Sequence, residues 1–176
     1  MSLPENRKIR CGRCWRRFEA TVWRSINTSN AELNEAFLKG RVNVLTCPKC
    51  GHSFFAPLPV LYHDVDRQLM VWVFDSANSA NPRESADPDL AEAMSGLGTV
   101  TLYADGFECA RYALRRLGDR ESFRQLREAN PDWPDAKIYA GVFHFHFGQA
   151  KAGASEKGNL GGFGEALQEA QEGTER

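Results

Sequence analysis

The sequence predicts an α+β domain, and three observations carry that prediction. Four of the five cysteines fall in two C-x-x-C pairs, Cys11-Gly12-Arg13-Cys14 and Cys47-Pro48-Lys49-Cys50. Between the pairs lies a stretch with helical spacing, flanked by strand-like runs. Beyond them, period-two and period-3.6 patterns follow one another with no internal repeat other than the cysteine turns. Zinc takes four soft, deprotonated ligands at tetrahedral angles, and each C-x-x-C supplies two of them from one tight turn. The architecture expected is therefore a zinc-ribbon-like four-cysteine module with an inserted helix, a small mainly antiparallel sheet, and helices packed on it.

Taken in order, residues 1–6 read as a flexible leader and 7–10 as a short strand entering the first cysteine turn. Residues 18–26 alternate imperfectly and predict a strand. Ser29 with Glu32 fits a capping box, Leu33, Ala36 and Phe37 share one helical face, and Gly40 supplies a left-handed stop, so a helix is expected over 30–39. Residues 41–46 return as a β-branched strand to the second cysteine turn. Residues 53–62 read as extended, with Pro57 and Pro59 pointing to an edge, and 63–66 as a turn. The run 68–74 is apolar on both faces and too short for a buried helix, which predicts a central strand.

Residues 76–98 form the expected loop, with a short helix possible within 87–94 after Pro88. A strand is expected over 99–104. Apolar residues at 107, 110, 113, 114 and 117 predict a helix stopped by Gly118, and Asp119 caps a second helix ended by Asn130-Pro131. Residues 137–147 read as a last strand, with Tyr139, Phe143, Phe145 and Phe147 on one face and Ile138, Val142, His144 and His146 on the other. The expected domain spans 7–147: a metal module and central strand over 7–75, the loop, then helices and last strand over 99–147. The glycine-rich segment 148–176 reads as a flexible tail.

Composition narrows the function classes. With 42% hydrophobic and 11% aromatic residues the chain can bury a core, and a net charge of −1 supplies no global attraction to nucleic acid or membrane. No apolar run is long enough to span a bilayer, and the polar, basic first ten residues carry no secretory core. An odd cysteine count with C-x-x-C spacing fits a metal site in a reducing compartment, so a cytoplasmic setting is expected.

The cysteines admit three readings. Cys11, Cys14, Cys47 and Cys50 as a closed structural zinc site is the leading one; its intervening segment is longer than the commonest ribbon spacing, but is itself a strand, helix and strand. Thiol–disulfide chemistry at Cys11–Cys14 would need a helix N-terminus after the motif, whereas the sequence leads toward a strand. Catalytic zinc would need an open ligand position; His52 could replace a cysteine, or stand beside the site. Cys109 reads as a small core residue. His144 and His146, two apart on the expected strand, could clasp a metal but lack a third ligand. Tyr62, His63 and Asp64 are acid/base groups that point apart when adjacent in a turn. No nucleophile elbow, phosphate loop or supported carboxylate pair is present, so nothing argues for an enzyme.

The segment 7–24 is the remaining feature. Arg7, Lys8, Arg10, Arg13, Arg16, Arg17 and Arg24 stand against Glu19 alone, interleaved with Trp15, Phe18 and Trp23. Arginines with exposed aromatics beside a zinc turn are one way to hold nucleic acid. Arg10, Arg13, Trp15, Arg16, Arg17 and Arg24 are therefore candidates for a surface that meets a protein partner or nucleic acid; the alternative is a solvated arginine edge whose aromatics turn inward. Arg116, Arg120, Arg124 and Arg127, interrupted by Asp119, Glu121 and Glu128, read as a salt-bridged helix surface.

The first C-x-x-C, Val22-Trp23-Arg24-Ser25-Ile26-Asn27, the helix ending Phe37-Leu38-Lys39-Gly40, Cys47-Pro48-Lys49-Cys50-Gly51-His52 and Leu61-Tyr62-His63-Asp64 together resemble the CpXC family, named for two C-P-x-C motifs. The resemblance is closest over residues 7–75 and thins toward 130. The first motif has Gly12 where the family name has proline, which loosens a turn and removes no ligand. The resemblance implies a bacterial or archaeal intracellular protein with a four-cysteine metal site. It implies no substrate, reaction or catalytic residue.

Overall fold

The computed structural model describes residues 2–79, 81–82 and 98–154, so the helix expected within 87–94 and the tail beyond 154 lie outside the described residues. The first hairpin pairs β1 (Leu3–Arg10) with β2 (Arg17–Asn27) in antiparallel register, Arg10 opposite Arg17. Strand β1 begins at Leu3, so residues 3–6, expected in a leader, belong to the sheet. Helix α1 (Ala31–Leu38) follows, then a small hairpin of β3 (Val44–Thr46) and β4 (Ser53–Phe55). The chain returns through β5 (Val60–Asp64), β6 (Leu69–Phe74) and β7 (Val100–Asp105), and ends in α2 (Phe107–Arg115), α3 (Arg120–Ala129) and α4 (Asp135–Ala154).

The main sheet has the order β1-β2-β5-β6-β7, with β2–β5 and β6–β7 parallel and the others antiparallel. Counting β3–β4, three of the five pairings among the described residues are antiparallel, and the fold is α+β. The parallel step from β2 to β5 follows from the long connection, since α1 and the small hairpin carry the chain back across the sheet. Strand β6 takes the central place its apolar run predicts: Leu69, Val71 and Val73 are buried, with β5 and β7 hydrogen-bonded on its two sides.

Two apolar clusters matter for the site. The main core gathers Ile26 of β2, Phe37 of α1, Tyr62 of β5, Val71 of β6, Phe107 of α2 and Phe143 of α4. A smaller cluster of Val22, Leu45 and Ala56, with Ile9, Phe18 and Phe54 packed on it, lies between the first hairpin and the small one. Strand β2 contributes to both. The prolines at 57 and 59 divide the extended segment into β4 and β5, because a residue without an N–H cannot continue either ladder.

Helix α1 is capped one residue later than the capping-box reading expects: Asn30 Oδ1 accepts from the Leu33 N–H at 3.1 Å. Its end is as expected, Gly40 at φ 72° with the Arg41 N–H closing on the Ala36 carbonyl. Residues 63–64, expected in a turn, extend β5 instead. Tyr62 and Asp64 then share the buried face, Tyr62 bonded to Asn34 and Asp64 to Arg67.

The expected last strand, 137–147, is a helix. α4 packs Ala140 and Phe143 into the main core on one side, and Ile138 and Val142 against Leu126 of α3 on another. A helix buried on two sides loses the polar stripe that marks its period, and its apolar run then reads as readily as a strand. Gly141 lets α3 approach closely, since a Cβ there would meet Leu126 Cδ1 at 3.1 Å. On this helix His144 and His146 point to different sides, so they form no metal clasp.

One side chain stands in for a missing strand contact. Asn43, buried and at φ 59°, accepts from the Trp23 N–H at 2.8 Å and donates from Nδ2 to the Trp23 carbonyl at 3.1 Å. This amide clamp fixes the small hairpin against β2, and it occupies the residues expected to begin a strand at 41. Replacing Asn43 with alanine leaves both Trp23 groups without a partner, and stability is expected to fall by about 2–4 kcal/mol. A urea midpoint unchanged from the parent protein would refute the clamp.

Candidate metal centre

Both cysteine pairs sit in the turn of a hairpin, and the two turns have the same construction. Arg10 pairs with Arg17 and Thr46 with Ser53, so each encloses six residues beginning with a cysteine. In the first turn the Cys11 N–H donates to the Arg16 carbonyl and the Trp15 N–H to the Cys11 carbonyl, both at 2.9 Å. In the second, the Cys47 N–H donates to the His52 carbonyl and the Gly51 N–H to the Cys47 carbonyl, again at 2.9 Å. The fifth residue is left-handed in both, Trp15 at φ 60° and Gly51 at φ 67°.

The turns bring the four sulfurs of Cys11, Cys14, Cys47 and Cys50 within 4.8 Å of one another. Cys11 Sγ lies 3.8 Å from Cys50 Sγ, and Cys14 Sγ lies 3.6 Å from Cys47 Sγ. Four sulfurs at about 2.3 Å from a tetrahedral ion stand about 3.8 Å apart, so this set is already spaced for one metal. The close pairs run between the turns, so an ion here ties one hairpin to the other. Cys11 and Cys47 are buried, whereas Cys14 and Cys50 are half-buried.

The electrostatics of the four thiols suit a cation. The backbone N–H groups of Cys14 and Arg13 hold Cys11 below the usual thiol range, against the effect of burial. Burial pushes the Cys47 thiol up, but the N–H groups of Cys50 and Lys49 and the neighbouring sulfurs together bring it down to about 6. Cys50 is pushed up to about 11: its bond from the His52 N–H favours the thiolate, yet burial and three sulfur neighbours outweigh it. The cluster thus ionises in part by itself and needs a positive ion to ionise fully.

His52 stacks on Phe54 with ring centroids 5.8 Å apart and stands outside the four-cysteine set. His146 is buried and bonded through Nε2 to Asp119 at 3.1 Å, at the N-cap of α3. Cys109 is half-buried rather than a core residue. The arginine stripe pairs as its sequence predicts, Arg124 bridging Glu121 and Glu128 at 2.7 and 2.6 Å.

The basic segment divides. Arg10, Arg13, Trp15, Arg16 and Arg17 lie at the first turn, all exposed, and no ion pair holds any of these arginines among the described residues. Arg24 does not join them: seven residues further along β2, roughly 23 Å at strand rise, it is half-buried with Nη1 3.6 Å from Glu5. Glu5, outside the window that isolates the basic run, also pairs with Arg7 at 2.9 Å. Phe18 turns inward, as the solvated-edge reading expects, but Trp15 does not, being 64% exposed. Lys49, exposed at the position of the second turn that matches Arg13, is a rim cation that charge counting over 7–24 misses.

The chain belongs to the CpXC family: the match to CpXC protein covers residues 9–125, which includes all four cysteines. No curated protein and no solved structure matches it.

Cys47→Ser removes a ligand and leaves three sulfurs crowded without their cation. Metal bound per chain is expected to fall close to zero and the melting temperature to drop, measured by elemental analysis and thermal unfolding. Protons compete with the metal for all four sulfurs, so affinity is expected to weaken as pH falls. Burial and the neighbouring sulfurs raise the Cys50 thiol, so metal binding is expected to release protons, read from the buffer dependence of the binding heat. A heat independent of buffer would contradict this ionisation pattern.

Proposed function

We propose that the chain is a zinc-stapled binding module, in which the ion shapes a surface and takes no part in a reaction. The observation that carries this reading is the closed ligand set: four sulfurs at tetrahedral spacing leave no position for a water or a substrate. Zinc is proposed over iron, which also accepts four thiolates, because a staple gains nothing from redox chemistry. A reducing, cytoplasmic setting keeps the four thiols available, and no helix among the described residues is long and apolar enough to cross a membrane.

Thiol–disulfide exchange is less well supported. The first C-x-x-C leads into β2 rather than a helix, so no helix dipole assists a nucleophilic thiol, and Cys11 and Cys14 each approach a sulfur of the other turn, Cys50 and Cys47 respectively. The surface the staple holds in place is the rim of the first turn, where exposed cations surround an exposed indole. A protein or a nucleic acid is the class of partner such a rim suits.

The test is the metal. Protein purified under reducing conditions is expected to carry one zinc per chain and no visible absorption of an iron–thiolate centre. Chelation is expected to lower the melting temperature, and added zinc to restore it. Substoichiometric zinc with full stability, or a Cys11–Cys14 disulfide in the native protein, would overturn the reading.

A further inference from the structure

The first cysteine turn departs from its twin at positions where the departure is unfavourable to folding. At the fifth residue the second turn has Gly51, which adopts positive φ freely, whereas the first has Trp15 at φ 60°. A bulky residue is an outlier there and strains the backbone. The indole gains no burial in return, since Trp15 is 64% exposed. At the mouth of the same turn Arg10 faces Arg17 across the hairpin, and like charges directly opposite one another repel. The Arg10 guanidinium sits 4.4 Å from the Trp15 ring centroid, over one face of an indole that is otherwise largely exposed. Backbone strain of this kind persists where a site uses the geometry it enforces.

We propose that Trp15 is a stacking platform for one base of a single-stranded nucleic acid, with Arg13, Arg16, Arg17 and Lys49 holding the flanking phosphates. The proposal rests on the binding-module reading and names its partner. A largely exposed indole receives a flat π-system, and the surrounding charge is uniformly positive over both turns, which complements a phosphodiester chain. A duplex keeps its bases stacked on one another and offers no free face to the ring. The ion acts by fixing the distance between the turns, so that Lys49 stands on the same rim as Arg13.

The experiment is fluorescence anisotropy of labelled 12-mers, single-stranded and duplex, and of a poly-glutamate peptide, against the zinc-loaded full chain at 50 and 200 mM salt. Single strands are expected to bind more tightly than duplex or peptide. With four phosphates neutralised, one by each of those cations, their affinity is expected to fall roughly fiftyfold between the two salts. Trp15→Gly gives the first turn the residue its twin already has, so metal content and melting temperature are expected to hold or rise while affinity falls about tenfold or more. Trp15→Phe is expected to recover part of the binding, which a merely structural role would not produce. Arg13→Ala is expected to flatten the salt dependence by about 0.7 in log–log slope. Binding to poly-glutamate that is stronger than to single strands, no binding to any probe by stoichiometrically zinc-loaded protein, or Trp15→Gly binding like the parent would each overturn the proposal. All three leave the zinc staple intact, whereas absence of the metal would remove the reading beneath it.

Discussion

One end of this molecule is built around four sulfurs that lie within 4.8 Å of one another. The turns that carry them are separated by more than thirty residues, and each closes a hairpin that has little else to hold it to the other. Strands β3 and β4 have three residues each, and a hairpin of that size is marginal in water on its own. Among the described residues, the apolar cluster between the hairpins buries just Val22, Leu45 and Ala56. Burial on that scale is modest beside the free energy of binding a structural zinc ion, on the order of 10 kcal/mol in peptides. The Asn43 clamp on Trp23 adds a second, polar tie at the opposite end of the small hairpin.

The other end is a hydrophobic core. Strand β6 lies between β5 and β7, α1, α2 and α4 supply apolar faces, and α4 is covered in turn by α3. Strand β2 spans both ends, and the segments 42–45 and 54–60 also run from one cluster to the other. The first residues of β2 pair with β1 and face the small hairpin, while Ser25, Ile26 and Asn27 pair with β5 in the main sheet.

Most of this was legible where a residue type has one physical use. The stop at Gly40, the cap at Asp119 and the central run 68–74 were each legible, and the two cysteine pairs come together as one cluster. Helix α4 was not legible, because burial on two sides erased the periodicity that distinguishes helix from strand. The grouping of His144 with His146 failed with it. At the site, all four candidate ligands come together, and five of the six rim residues share a surface. Arg24 was misplaced because its counter-ion, Glu5, lies outside the run that drew attention to it. The left-handed Trp15 had a signal that went unread: laid over each other, the two C-x-x-C turns put a tryptophan where the other has glycine.

Strand β2 makes the two ends one cooperative system. From Arg17 to Asn27 it runs roughly 33 Å, with its first half in the metal-held cluster and its second in the main core. Local unfolding near the cysteine turns therefore frays a strand whose far end is an interior member of the main sheet. Whatever ties the cysteine turns together limits how far that fraying can travel toward Ser25, Ile26 and Asn27, which pair with β5. The module is in that sense a lever: whatever holds the cysteine turns at its tip bears on a sheet whose first two strands carry one of those turns.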